Sequence, residues 1–366
     1  MYRIIKKIRI GKIYYRLFKN KVLGKKKLSS VDDNEIQRLN AYYPNKGSSA
    51  IRKQKRVIGR EYDLCIIIPA YNVEKYIINC IESILKQETQ YRFQVIVIED
   101  GATDHTAEQL KRYKDSEKIK IIHQENKGLS GARNRGLDES SAEYIMFVDA
   151  DDMLVQGAVD KMMKCAYYHN ADIVEGAYAF ISASGRIKYQ YKQKEGFLDR
   201  WNDLYGFAWG KLYRNVLFET VNFPEGYWFE DSVCRQIIYE LAECIVGIQD
   251  TVYMYQENPK GITHKSKGNL KSLDVLWITK VLFKDREKLM IHKSEAYYYY
   301  LIKLAVLIYE RTRGLDEQIR KSIFISYSYF LNAEFSSYLS REELSDIEYA
   351  IKEYDFGIYE LWCKCY

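Results

Sequence analysis

The sequence predicts an α/β protein: a doubly wound, mainly parallel sheet flanked by helices, with a basic N-terminal extension before it and a helical C-terminal region after it. Three observations predict it. Short apolar runs of strand length alternate with helical patterns from residue 62 to residue 168, which is how βαβ units of a parallel sheet read. The runs at 64–68, 93–98 and 144–148 are almost continuously apolar, as strands covered on both faces must be. Two of them stop abruptly in acids, Glu99-Asp100 and Asp149-Ala150-Asp151-Asp152, at the strand ends where open parallel sheets bind ligands.

The chain of 366 residues is 47% apolar and 29% charged, enough for a sizeable core and far from the composition of a disordered polymer. Its 34 tyrosines combine flat apolar bodies with polar tips and suit wet interfaces, sugar faces and ordinary cores alike. Residues 1–60 hold 18 Lys and Arg against three acids, so the net charge of +6 is made of +15 there and −9 over the rest. The seven cysteines include no pair of Cys-x-x-Cys motifs, which fits a reduced, cytoplasmic setting. No sustained apolar signal segment and no run long enough to span a bilayer is present.

In order, residues 1–28 place Ile4, Ile5, Ile8, Tyr15, Phe18 and Val22 at helical spacing among seven or more basic residues. This is a basic amphipathic helix suited to an anionic membrane surface, and the inner face of the cell membrane is the expected location. A partner helix, nucleic acid or bare solvent are its competing surroundings, of which nucleic acid is not expected as a partner. Residues 29–60 read as a linker with a second basic cluster. Strands follow at 64–68, 93–98, 118–122 and 144–148, with helices at 73–87, 103–113 and 128–137 between them. A helix at 155–168 and a strand at 172–180 continue the sheet, a strand at 245–255 closes it, and from 267 the pattern is helical to the end. The three boundaries are therefore 1–60, 61–265 and 266–366.

Asp149 and Asp151 are open to two readings from the residues alone: oxygen ligands for a hard cation that also holds a phosphate, or acids favouring the start of the next helix. Asp152 fits the second role, capping the helix near Val155. The glycines at 128, 131 and 136 lack the G-x-G pair of a dinucleotide site, and no Gly-Lys-Ser/Thr phosphate loop exists.

Four landmarks occur in one order: Ile66-Ile67-Ile68-Pro69-Ala70-Tyr71-Asn72, Glu99-Asp100-Gly101-Ala102-Thr103-Asp104, Gly128-Leu129-Ser130-Gly131-Ala132-Arg133-Asn134 and Asp149-Ala150-Asp151-Asp152. Together with Trp209-Gly210-Lys211-Leu212-Tyr213 and Phe229-Glu230-Asp231, this set resembles the inverting family 2 glycosyltransferases of the GT-A fold, of the bacterial surface-polysaccharide type, over residues 62–265. The resemblance implies a UDP-sugar donor and a saccharide acceptor, lipid-linked if the extension holds the enzyme at a membrane. It implies that Pro69, Ala70, Tyr71 and Glu74 line the nucleotide pocket and that Asp100 accepts from uracil. Arg133 would approach the diphosphate, Asp149 the ribose or metal, and Asp151, with His264, a Mn²⁺ or Mg²⁺ ion. Asp231 would take the proton of the acceptor hydroxyl. Trp209 and Lys211 would shape a sugar site or belong to the core. The second landmark departs from the family's usual Asp-Asp-Gly-Ser, keeping Asp100. The alternative is a non-catalytic relative that binds nucleotide or saccharide and assembles with partners, and an oligomer is compatible with either.

Overall fold

The apolar run after residue 62 is the middle of the first half of a ten-stranded sheet in the computed structural model, which describes residues 11, 14–27, 34–259, 261, 266, 268–339 and 341–365. The strands are β1 (Tyr62–Ala70), β2 (Phe93–Glu99), β3 (Ile119–His123), β4 (Ala142–Phe147), β5 (Met153–Leu154), β6 (Ile173–Ile181), β7 (Ile187–Tyr191), β8 (Gly196–Phe197), β9 (Lys211–Arg214) and β10 (Ile245–Gln256). Their order is β3-β2-β1-β4-β9-β6-β10-β5, with β7 beside β6 and β8 beside β10. β1 pairs in parallel with β2 and β4, and β2 with β3. Ile66, Ile67 and Ile68 are wholly buried, because helices lie on both faces and leave the stiff β-branched side chains no wet side.

Beyond β4 the sheet is mixed, a refinement of the mainly parallel sheet that the sequence predicts. β9 runs antiparallel to both β4 and β6, and β5, β7 and β8 are also antiparallel to their neighbours. The reason is local: no helix lies between β6 and its neighbour β9, and a parallel neighbour needs a crossover, usually helical. β6 and β10 are parallel.

The helix Gly128–Glu139 crosses β1 closely. At Gly136 a Cβ would lie 2.3 Å from Ile67 Cγ2, so only glycine fits there. The same helix buries a polar stripe, Ser130, Arg133 and Asn134, at the i, i+3, i+4 spacing that puts residues on one face. Ser130 Oγ donates to Pro224 O (2.8 Å), and Asn134 both donates to Phe223 O (2.9 Å) and accepts from Phe223 N (2.8 Å). This face fastens the segment that carries Glu230 and Asp231.

The chain divides into two compact units. The α/β unit is 47–259 with 278–291. Residues 47–60, read as linker, run along it: Ser48 N donates to Glu225 O, Arg52 N to Thr220 O and Arg56 to Leu137 O and Ser140 Oγ. Asp285 closes the unit by accepting from Ser49 Oγ and Ala50 N. The second unit comprises the described residues of 1–46, 260–277 and 292–366. It is helical, with helices including Asn34–Tyr42, Glu295–Thr312, Glu317–Glu334, Ser345–Lys352 and Phe356–Cys365. Three of its buried tyrosines end on hydrogen-bond acceptors, Tyr327 on Leu301 O (2.7 Å), Tyr359 on Ala305 O (2.8 Å) and Tyr298 on Glu348 (3.0 Å), as buried phenols usually do. Of the predicted N-terminal helix, residues 14–22 are helical, and 1–10, 12, 13 and 28 lie outside the described residues.

Candidate active site at the carboxyl edge of the sheet

Pro69 and Ala70 end β1 with both residues buried, and Tyr71 beyond them is 47% exposed. Asn72 takes a left-handed conformation (φ 53°) and its Oδ1 accepts from Thr103 N at 2.8 Å; Asn is among the few residues that tolerate that backbone. Asp100 N donates to Ala70 O at 2.9 Å, so the loops after β1 and β2 are tied side by side. The buried Asp100 carboxylate accepts from Gln124 Nε2 (2.7 Å) and Lys127 N (2.8 Å) through Oδ1, while Oδ2 receives no donor among the described residues. Glu74 Oε2 accepts from His105 N (3.1 Å) and faces His105 Nδ1 (2.8 Å), and these bonds hold its carboxyl below the ordinary range.

Arg133 is the hub of the site. Its guanidinium is sealed from solvent and meets three carboxylates: NH1 donates to Glu230 Oε1 (2.8 Å) and Asp231 Oδ1 (2.9 Å), and NH2 to Asp149 Oδ1 (2.8 Å). The Asp149 and Asp231 side chains are each 24% exposed, against 6% for Glu230 and 1% for Arg133. Two acids thus face outward and one is locked behind. Phe229, just before them, also has a left-handed backbone (φ 65°), an unusual state for a bulky residue that recurs at functional sites. Burial pushes Glu230 up to about 7, with the Asp231 charge adding to it and Arg133 opposing. Burial likewise raises Asp231, against the pull of Arg133 and Lys211.

Asp151 accepts from Asn258 Nδ2 at 2.8 Å and is pushed up to about 6, first by burial and then by the charge of Asp149. A carboxylate in that state gains from a nearby cation. Among the described residues no group of three His, Cys, Asp or Glu side chains is placed to hold a metal ion. The available set is oxygen-only and small, the kind that suits a divalent ion completed by substrate phosphates and water. His264 lies outside the described residues. Asp152 does not cap a helix near Val155: that helix starts at Ala158, and the wholly buried Asp152 accepts from Tyr253 Oη (2.7 Å) and Gln256 N (2.7 Å). Tyr253 Oη in turn accepts from Asp149 N (3.0 Å), so the third acid braces the backbone of the first.

Lys211 and Trp209 lie behind the acids as core. Lys211 Nζ pairs with Glu175 (2.9 Å), donates to Phe207 O (2.7 Å) and sits 3.4 Å above the Tyr205 ring, with both charged side chains wholly sealed. Burial raises Glu175 to about 7 and lowers Lys211 to about 8, each opposed by the other's charge. Trp209 stacks between Phe207 (4.6 Å, 7°) and Tyr253 (4.5 Å, 8°). Sequence reasoning did not single out Glu175 or give Glu230 a role of its own. For Glu230 the signal was present in its adjacency to Asp231; Glu175 stands in an apolar run with nothing to mark its partner.

Carboxylates gathered at the ends of parallel strands beside a buried arginine mark the carboxyl edge of the sheet as the candidate site. Residues 65–226 match the family described as Glycosyl transferase family 2, and the α/β unit has that family's fold. Over 211 residues the chain is 33% identical to glycosyltransferase GlyA of Streptococcus pneumoniae, covering 53% of this chain and 30% of that protein. Glycosyltransferase GlyG of the same organism is 29% identical over 54% of this chain and 72% of its own length. The chain thus spans less than a third of one curated relative and nearly three quarters of the other. A crystal structure of S. aureus TarS in complex with UDP-GlcNAc superposes with a TM-score of 0.63 at 20% identity, covering 82% of this chain and 90% of that one.

Proposed function

We propose that the protein is an inverting glycosyltransferase that moves a sugar from a UDP-sugar to a hydroxyl of a saccharide acceptor. The observation that carries this reading is the Arg133 hub, which gathers two partly exposed carboxylates from chain segments far apart in sequence on one guanidinium. Asp231 is the base: its oxygen takes the acceptor proton as the acceptor oxygen bonds to the anomeric carbon and the bond to the UDP oxygen breaks. Its burial raises its basicity and Arg133 fixes its orientation. Asp100 accepts from the uracil through its open Oδ2, beside the Pro69, Ala70, Tyr71 and Glu74 wall. Arg133 is sealed from solvent and both of its terminal nitrogens donate to carboxylates, so it acts on the reaction by holding Asp149 and Asp231.

Asp151, with Asp149 alongside and His264 as a further candidate, would hold Mn²⁺ or Mg²⁺. When bound, such an ion supplies Lewis-acid neutralisation of the diphosphate leaving group. Thermal unfolding with UDP, with and without Mn²⁺, tests the reading. Ligand at a hundred times its dissociation constant stabilises by roughly 2.7 kcal/mol, a gain that Asp151→Asn removes if the ion bridges to the nucleotide. No response to UDP, with or without the ion, overturns the donor assignment.

The acceptor is a lipid-linked saccharide, and the N-terminal helix meets an anionic bilayer. Residues 14–22 support this: Tyr14 (50%) and Leu17 (65%) are exposed beside Arg16 and Lys21, an apolar and basic face of the kind that lies in a headgroup region. Among the described residues no helix is long and apolar enough to cross a membrane. Co-sedimentation with phosphatidylglycerol vesicles tests it, and equal binding after Leu17→Glu excludes this face.

A further inference from the structure

The two acids that end β2 are each held by the end of β3. Glu99 lies opposite His123 in the parallel register of the two strands. Its Oε2 meets His123 Nδ1 at 2.9 Å, and its Oε1 accepts from Ala102 N at 2.5 Å, which closes the turn at 99–102. An ionised carboxylate only accepts, so Nδ1 carries the hydrogen. Asp100 is met by the next residue of the same segment: Gln124 Nε2 donates to Asp100 Oδ1 at 2.7 Å, while Gln124 N donates to Glu99 O at 3.0 Å. Gly101 has a left-handed backbone (φ 67°), and a Cβ there would lie 2.9 Å from Asn126 N and 3.4 Å from Gln124 O. Residues 123–127 are thus packed directly on the backbone that carries Asp100.

This grip decides which way the Asp100 carboxylate faces. The terminal torsion of an aspartate is broad and roughly twofold, so nothing within the side chain itself keeps one oxygen forward. Here Oδ1 takes two donors, Gln124 Nε2 and Lys127 N (2.8 Å), which fill its lone pairs. Oδ2 takes none among the described residues and yet is not closed off from solvent. The result is a single acceptor with a fixed aim. Uracil offers an imide N3–H to such an acceptor. Cytosine turns a ring-nitrogen lone pair to the same place, with its amino hydrogens one ring position away. An acceptor free to turn would swing to that amino group and lose the distinction, so the choice between the two bases depends on holding the carboxylate still.

We infer that Gln124 is the positioning residue that aims Asp100 and so makes the site choose uracil over cytosine. This rests on the UDP-sugar reading, in which Asp100 meets the base. Lys127 contributes a main-chain donor that any residue supplies, whereas the Gln124 donor belongs to its side chain. The Glu99–His123 pair keeps the turn between them in register.

The test uses the full chain and two probes, UDP and CDP, titrated by calorimetry in one Mn²⁺-containing buffer. The probes share ribose and diphosphate, so whatever holds those parts cancels in the ratio of their dissociation constants. The wild type is expected to prefer UDP. Gln124→Leu, which removes the donor, should weaken UDP about fivefold and leave CDP unchanged, narrowing the ratio by the same factor. Gln124→Lys, which keeps a donor, should retain most of the preference. Gln124 is half-buried, so neither variant empties a core position, and circular dichroism checks the fold. A ratio unchanged in Gln124→Leu, whether both nucleotides bind as before or both weaken together, overturns the positioning role, as does a wild type that binds UDP and CDP equally. Failure of the wild type to bind UDP overturns the underlying reading instead.

Discussion

Two buried cations of the α/β unit are neutralised in opposite ways. Lys211 meets one carboxylate, Glu175, and both side chains are wholly sealed; Gln193 Nε2, Tyr205 N and Phe207 O complete their hydrogen bonds. Arg133 meets three carboxylates, two of them partly open to solvent. The first arrangement is balanced and complete. The second carries excess negative charge, which is relieved only by a proton, a cation or further donors. Equal burial of the cation therefore says little about role; the charge balance and the exposure of the acids do.

Variants at the two centres should separate these roles. Asp231→Asn is expected to lower the turnover of UDP-sugar with acceptor by about 10³-fold, the range for loss of a general base. Its melting temperature should hold or rise, because one excess charge is gone. At the balanced centre the emphasis reverses. Glu175→Gln leaves Lys211 without its counter-charge and should reduce stability by about 3 kcal/mol in urea unfolding, and the Glu175→Leu/Lys211→Met pair should recover most of it. Arg133→Met should do both kinds of harm, losing about 3 kcal/mol and turnover together, since three carboxylates are left facing one another.

A carboxylate outside both centres gives a smaller effect. Asp100→Asn is expected to raise KM for the UDP-sugar about tenfold, the worth of one charged hydrogen bond, with kcat little changed. An equal fall in kcat would place Asp100 in the chemical step.

The smallest effect is a pH dependence. Glu230 is raised to about 7 in the folded state, facing Asp231, Asp149 and Arg133, whereas an unfolded Glu titrates near 4.3. Between these values the folded state binds more protons than the unfolded one, so stability falls as pH rises through about 7. Melting temperature scanned from acid to neutral pH should decline in the wild type and decline less in Glu230→Gln. The raised Asp151 contributes in the same direction at about 6.

Much of the fold was legible because the β1, β2 and β4 runs are apolar at almost every position and their helices follow at regular spacing. The antiparallel β9 was not, since its four residues between β4 and β6 owe their direction to a crossover that is missing. The acids at 149–152 announced an edge, yet three neighbours in sequence have three fates: Asp149 on Arg133, Asp151 on Asn258, Asp152 on the end of β10. Proximity along the chain sets none of these, because successive side chains leave a strand end in different directions. Arg133 read as a diphosphate contact because its charge suits phosphate; which acids would surround it depended on how the 223–231 segment folded back, information spread over nearly a hundred residues.

That separation bears on how the chain acquires its chemistry. Arg133 and Asp231 are 98 positions apart, and the segment carrying Asp231 is pinned by the polar stripe of the helix Gly128–Glu139. During synthesis, β1 through β4 emerge and can pair before residue 231 exists. At that stage Arg133 has one of its three acids, Asp149, and the nascent domain holds a balanced pair without Glu230 and Asp231. Contacts of such long sequence separation form slowly, so the site on the Arg133 hub is completed late, after the strands that first carried it.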